Sequence, residues 1–461
     1  MVSVDVVRVA VAIVPEVREL LREDPTQLHD LLDEIHDEDL ADLLELLEDD
    51  EAIIVLEQLQ TAEAADIFER LDEDAQTELV ERYGAERLAP IVSEMAPDDR
   101  TDFIESLPET IGEELLDEMD PEAVAEVEVL IGYPDDTAGG LMTTDLVRLS
   151  PELTVQEVIE RVRSEAQEAE TIYYVYAVER NDTLAGVASL RDIILADPEA
   201  RLRDIMNEHV HTVLPDLDQE EVARVLRKYD FTAMPVADTH GRLLGLITID
   251  DVMDVVEEEQ DEDVQRLAAV EPIEEDYFKT TFWTFVSKRA PWLAVLFVGQ
   301  FLTEAILRRY DPMIQAVTQL TYYLPLLIST GGNSGGQSAS LIIRSIATGD
   351  VVLEDWWRVF VRELGQGIVL GLFLAAMGMA RVYMAGDVHG MAPTIGITVV
   401  AIVVMGCTLG SMLPLLLHRL GLDPATSSTP FIATLIDVFG IVLYFSIANL
   451  FLAAAFAEAG F

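Results

Sequence analysis

The chain has 461 residues, room for about three domains at roughly 150 residues each. It carries 29 Lys and Arg against 86 Asp and Glu, a net charge of −57 with a pI near 4.1. Such a balance argues against a nucleic-acid binder, which needs basic patches, and suits a solvent or ligand that favours carboxylates.

The charge is lopsided. From Thr281 onward 9 basic residues face 10 acids, a net of −1, so the first 280 residues hold −56. Lysine stands only at Lys228, Lys279 and Lys288, and an acid surplus with so little lysine is the expectation for a salt-adapted organism. The N-terminal stretch MVSVDVVRVAVAIV is interrupted by Asp5 and Arg8 and has no small-residue cleavage pattern, so no signal peptide is expected. The single cysteine, Cys407, allows no internal disulfide.

Residues 28–120 read as short acidic helices. LHDLLDEIHDEDLADLLELL spaces leucines at helical intervals with acids between them. DEDLADLLELL, TAEAADIFERL and APDDRTDFIESL are loosely similar units, which suggests a stacked helical array.

From Leu141 the texture turns to mixed α and β. LTVQEVIERV followed by IYYVYAVERNDTLAGVASLRDII is echoed by LDQEEVARVL followed by FTAMPVADTHGRLLGLITIDDVM. Each unit predicts helix, strand, turn, strand and helix, so a pseudo-twofold module with a cleft is expected. The unit ends, Gly186 to Asp192 (GVASLRD) and Gly245 to Asp251 (GLITIDD), resemble those of a CBS-domain pair. That resemblance implies contacts from the Ser or Thr and the Asp to the ribose of an adenine nucleotide; the competing role for the same residues is N-capping of the next helix.

Past Asp251, the acids Asp254, Glu258 and Glu262 fall on one helical face, with Glu257, Glu259, Asp261 and Asp263 nearby. Stacked carboxylates repel, so this helix wants cations, although salt adaptation would also enrich acids here.

Five apolar segments follow, at 291–307, 314–343, 357–384, 393–417 and 430–456, each near the roughly 20 residues that cross a bilayer. The first is short and carries Gln300 and Glu304 on one face. With the front half inside the cell, Lys288, Arg289, Arg344, Arg358, Arg362 and Arg419 lie inside and Arg308, Arg309 and Arg381 outside, in the sense of the positive-inside rule. The second segment contains TGGNSGGQSAS, whose glycines permit close helix packing and whose Asn333, Gln337 and Ser340 offer hydrogen bonds. It reads either as a packing seam or as a pore wall. Asp437, within the last segment, has no basic residue in the same span. An ionisable group there faces a partner or an aqueous path; the alternatives are a cation site or a structural Asp satisfied by Thr434 or Ser446.

The whole order resembles the MgtE family of magnesium channels and transporters. YPDDTAGGLMT, AETIYYVYAV, KYDFTAMPV, TIDDVMDV, TGGNSGGQSASLIIR and the span with Asp437 carry the likeness. It implies a multidomain α, α/β and membrane-α fold: an acidic helical N domain (1–132), CBS domain 1 (133–207), CBS domain 2 (208–256), an acidic connecting or plug helix (257–287) and a five-span transmembrane domain (288–461). It further implies a multi-pass homodimer in the cell membrane, its N-terminal domains cytoplasmic, with Mg²⁺ as cargo and regulator. Asp437 would hold a hydrated Mg²⁺ beside the backbone at Ala433. Regulatory Mg²⁺ would be met by Asp98, Gly140, Asp218, Asp230, Asp251, Asp254, Glu259, Glu262 and Asp263, with Asp423 at the membrane face and Asp66 as a further acid. Tyr174, Arg191, Asp192 and Phe231 match the family's nucleotide cleft, where ATP would sit. One departure is Thr429, where many members have Asn. The rival expectations are a membrane-anchored receptor for adenine nucleotides and a carrier for another divalent metal such as cobalt. No nucleophile–base pair, P-loop or His/Cys cluster is found, so an enzyme is not expected.

Overall fold

The computed structural model describes residues 3–23, 28–32, 35–165, 169–273, 277–387 and 389–453. The chain divides into two compact units, Met1–Val256 and Glu257–Phe461.

The first unit begins with helices α1 (Ser3–Glu23), α2 (Leu28–Leu32), α3 (Asp37–Leu46), α4 (Asp49–Leu56) and α5 (Thr61–Phe68). They continue as α6 (Glu73–Tyr83), α7 (Ala85–Ser93), α8 (Pro97–Ser106), α9 (Glu109–Glu118) and α10 (Pro121–Leu130). The expected helical spacing is visible within single turns: in α5, Ala64, Ala65, Ile67 and Phe68 are buried while Ala62 and Asp66 face water. Phe68 meets Phe103 edge to face at 5.4 Å, joining α5 to α8.

Next comes the repeated α/β module: β1 (Leu146–Leu149), α11 (Val155–Glu165), β2 (Thr171–Val178), β3 (Leu184–Ser189), α12 (Leu190–Leu195) and α13 (Leu202–Ile205). The second copy has α14 (Gln219–Tyr229), β4 (Ala233–Ala237), β5 (Leu243–Thr248) and α15 (Ile249–Leu267). In the first sheet β1 runs parallel to β2 and β3 antiparallel to it; in the second, β4 pairs antiparallel with β5 and Val213 makes a single parallel bridge to Val236. The copies interlock. Val187 of β3 pairs with Asn207, and Leu246 of β5 pairs with Thr143. Glycine is required at the second crossing, since a Cβ at Gly245 would lie 2.6 Å from the Thr143 carbonyl; one at Gly186 would press on the flexible Met206 side chain.

The second unit is helical: α16 (Phe282–Arg309), α17 (Asp311–Ala316), α18 (Gln319–Ala347), α19 (Trp356–Ala385), α20 (Met391–Arg419) and α21 (Thr429–Phe451). Among the described residues α16, α19 (with the turn before it), α20 and α21 are long and apolar enough to cross a membrane. The fifth expected span, α18, has the length, 29 residues, but its TGGNSGGQSAS centre lowers its hydropathy. Boundaries shift in physical ways. α16 runs through Pro291 and is longer than expected; residues 311–316 form their own helix, so α18 starts at Gln319.

The glycine-rich stretch stays helical. Gly331, Gly332, Gly335, Gly336, Ser338 and Ala339 are buried while Asn333 and Gln337 stay exposed, so the segment is a packing seam on one face and a polar face on the other. A Cβ at Gly406 would lie 2.7 Å from the Gly331 carbonyl, and one at Gly410 would run into the Gly335 carbonyl, so α18 and α20 touch backbone to backbone. Gly410→Leu is therefore expected to overpack this seam at a cost of about 1–3 kcal/mol or more, read as a lower unfolding temperature in detergent; an unchanged midpoint would show that the helices do not meet there.

Candidate functional site

Three groups of side chains and one cleft carry chemistry. The first lies where α8 meets the α/β module. Pro97 opens α8, and Asp98 and Asp99 fill its first turn, a position that the helix dipole favours for acids. Glu69 accepts a hydrogen bond from the Ala96 N–H at 3.4 Å and pairs with Arg70 at 2.8 Å. Asp251, at the start of α15, accepts from the Thr248 N–H at 3.2 Å and from its hydroxyl. Glu170 precedes β2, its N–H donating to the Asp145 carbonyl.

These five carboxylates repel one another; Glu69, Asp98 and Asp251 are partly buried, while Asp99 and Glu170 keep exposed surface. Burial first, then Glu69, Asp251 and other acids, pushes Asp99 up to about 8. Burial, then Asp251 and Glu69, pushes Glu170 up to about 7. Asp98 is raised well above the carboxylate range by burial and by Asp99, Asp251 and Glu170; Glu69 and Asp251 are raised chiefly by burial. Asp98 Oδ1 is sealed from solvent without a hydrogen-bond partner among the described residues. A buried charge left this way is costly unless it is protonated or meets a cation. Because the folded pKa values exceed the unfolded ones, this cluster's stabilising contribution is complete below about pH 4 and is lost as pH rises through about 7 to 8. In chelator-treated buffer the unfolding temperature of the full chain should fall between about pH 5.5 and 8.5; a midpoint that rose over that range would contradict the cluster.

The other acids expected near this site are spread out. Asp218 caps α14, accepting from the Glu220 N–H at 3.0 Å, and bridges to Thr137 three residues before Gly140. Asp230 ends the same helix in the left-handed conformation, φ 54°. Asp254 is exposed on α15. Asp66 is exposed and interacts with Arg70, Asp37 and Glu63; it is Glu69, three residues on, that joins the cluster. Glu69, Asp99 and Glu170 were missed in the sequence reading. The signals were present, in the DD pair opening α8 and in the Glu of AETIYYVYAV.

Within the second unit, α15 and the turn before α21 form another group. Arg266 pairs with both Glu262 and Asp423. Burial, with Asp423 and Glu259, pushes Asp263 up to about 6. Glu262 and Asp423 therefore share a guanidinium that the sequence reading did not weigh, and Asp263 lies near Asp423 and Glu259. Gln265 clamps the following segment, donating to the Ile273 carbonyl at 3.1 Å and accepting from its N–H at 2.8 Å.

A cleft of about 720 Å³ is lined by Tyr173, Tyr174, Ser189, Leu190, Arg191, Ile194 and Leu195 of the module's first copy and Thr232 of the second. Tyr174 and Arg191 are both among its walls. Ser189 caps α12, accepting from the Asp192 N–H at 3.1 Å and donating to the Asp192 carboxylate at 2.6 Å, so the capping role is realised and Asp192 is engaged by it. Phe231 lies beside the cleft residue Thr232, with its ring stacked on Tyr229 at 5.4 Å.

The third group is in the membrane helices. Asp437 sits in α21 one turn beyond Ala433, whose Cβ would lie 3.3 Å from a Cβ at Gly332 of α18. Neither hydroxyl weighed for it is available: Thr434 donates to the Pro430 carbonyl at 3.0 Å and Ser446 to the Val442 carbonyl at 2.6 Å. The Asp437 partner is Gln300 of α16, at 3.2 Å.

An apolar helix bundle with a carboxylate inside it, on one chain with a CBS-type pair and an acidic helical body, is the architecture of a membrane ion transporter. Residues 324–447 match the MgtE family, described as a divalent cation transporter; residues 35–136 match the MgtE intracellular N domain, and 138–199 and 202–258 each match a CBS domain. The magnesium transporter MgtE of Thermus thermophilus is 46% identical over 340 residues, 74% of this chain and 75% of the relative. The magnesium transporter MgtE of Enterococcus faecalis is 36% identical over 336 residues, 72% of each chain. A crystal structure of the cytosolic domain of the Mg²⁺ channel MgtE in complex with ATP is similar with a TM-score of 0.50 and 42% identity, covering 52% of this chain and 99% of that one. The chain belongs to the MgtE family, whose members are named as transporters rather than enzymes.

Proposed function

We propose that the chain conducts Mg²⁺ across the cell membrane through a homodimeric pore, with the first 256 residues cytoplasmic, and that cytosolic Mg²⁺ closes it. The observation that carries this reading is Asp437, a carboxylate inside an apolar helix with a neutral amide as its partner. Mg²⁺ prefers six oxygens, sheds water reluctantly and is commonly held by one or two carboxylates while keeping several waters. Asp437 from each of two copies would supply two, beside the backbone at Ala433, and the retained waters would keep binding weak enough for release.

Closure rests on the two acidic groups. At low Mg²⁺ the cluster of Glu69, Asp98, Asp99, Glu170 and Asp251 repels itself; bound Mg²⁺ would neutralise it and favour the assembled state, a population shift. Glu259, Glu262, Asp263 and Asp423 form the second group, and Gly140, Asp218, Asp230 and Asp254 are further candidates. ATP is the ligand proposed for the cleft with Tyr174 and Arg191, supported by the ATP complex of the related cytosolic domain. The deciding experiment is Mg²⁺ flux into liposomes holding the purified chain or its Asp437→Ala variant.

A further inference from the structure

We propose that Gln300 is a positioning residue for the pore carboxylate: its amide fixes one oxygen of Asp437, leaving the other to meet the cation and the charge undiminished. This rests on the pore reading above.

α16 has little packing to hold it. Of its 28 residues only Thr303 is buried. Its register against α21 is set by close contacts at two heights. A Cβ at Gly299 would lie 2.9 Å from Thr434 Cγ2, so the helices approach closely there. Near the other end, Tyr310 stacks on Phe445 with ring centres 4.6 Å apart and planes 12° from parallel. Gln300 follows Gly299 and Asp437 lies three residues beyond Thr434, so the same approach delivers the amide to the carboxylate. Gln300 Nε2 donates to Asp437 Oδ2 at 3.2 Å. Glu304, one turn beyond Gln300, is occupied with Arg308.

The side-chain chemistry suits the task. An ionised carboxylate offers about four lone-pair positions, and one amide donor takes one of them. A lysine or arginine here would cancel the charge and compete with the cargo. An apolar side chain would leave the carboxylate free to turn, and ordering it would then be part of the cost of binding each ion. A neutral donor orients without neutralising, as outer partners do for carboxylates that ligate metals.

The test is Mg²⁺ flux by the full chain in liposomes across a range of Mg²⁺ concentrations, comparing wild type, Gln300→Met, Gln300→Asn, Gln300→Lys and Asp437→Asn. Methionine keeps the length without the donor; asparagine keeps the donor but falls one methylene short. Both should raise the half-saturating Mg²⁺ concentration about tenfold, with maximal flux little changed, as for a lost hydrogen bond to a charged group. Lysine should abolish flux. Asp437→Asn without flux, with Gln300→Met and Gln300→Asn both saturating like wild type, would overturn this proposal and leave the pore reading standing. A lower maximal flux at unchanged half-saturation, with a lower unfolding temperature, would mean packing and would also overturn it. Wild-type flux from Asp437→Asn would overturn both.

Discussion

Asp437→Ala is expected to lower Mg²⁺ flux in liposomes by at least about hundredfold while the protein stays folded. A charged residue near the centre of a membrane helix costs about 2.5–3.5 kcal/mol on insertion scales. Among the described residues no ion pair offsets that cost, and the polar contact to Asp437 is one amide hydrogen bond. Removing the carboxylate should therefore leave the unfolding temperature in chelator unchanged or higher, while removing the feature that draws a divalent cation into a low-dielectric passage. A structural aspartate would behave in the opposite way: its loss would lower the unfolding temperature and leave the flux of the surviving protein near wild type. The two readouts together separate the pore reading from a membrane anchor with a receptor function.

The second large effect is expected from Asp98→Asn combined with Asp251→Asn. Internal Mg²⁺ should then inhibit uptake at concentrations at least about tenfold higher, corresponding to about 1.4 kcal/mol of lost coupling. Each change removes an ionisable carboxyl from a group in which Asp251 raises the pKa of Asp98, Asp99 and Glu170. In chelator the double variant should also unfold at a higher temperature, because repulsion has been relieved. If Asp98 only serves the dipole of α8, the Asn change would instead cost about 0.3–1 kcal/mol of stability and leave inhibition by Mg²⁺ unaltered. Inhibition indistinguishable from wild type would remove this cluster from the gate. Bulk salt adds a further check, since exposed charges are screened within about 3 Å at 1 M. Inhibition that survives molar monovalent salt is the mark of direct chelation.

Much was legible in the sequence because it depends on local periodicity. Leucines at helical spacing, the twice-repeated α/β unit and the long apolar runs each report an element that a few neighbouring residues suffice to specify. Asp437 was legible for a related reason: a lone carboxylate in an apolar run is anomalous wherever that run packs. Its partner was not. Thr434 and Ser446 are near it along the chain, but each hydroxyl turns back to the carbonyl four residues earlier, and the donor comes from 137 residues away.

The repeated motif draws the line most clearly. Both copies end in a hydroxyl residue followed three positions later by an aspartate, Ser189 with Asp192 and Thr248 with Asp251, and in both the hydroxyl donates to that aspartate's carboxylate. That much the sequence by itself determined, since a side chain reaching its own helix start needs no distant partner. Only the tertiary structure decided that Ser189 lines an open cleft while Asp251 sits among the acids of α5, α8 and the approach to β2. Whether a carboxylate is a cap or part of a cation site depends on which remote charges are brought near it and how much water is left around them. Those quantities are set by packing between elements far apart in the chain.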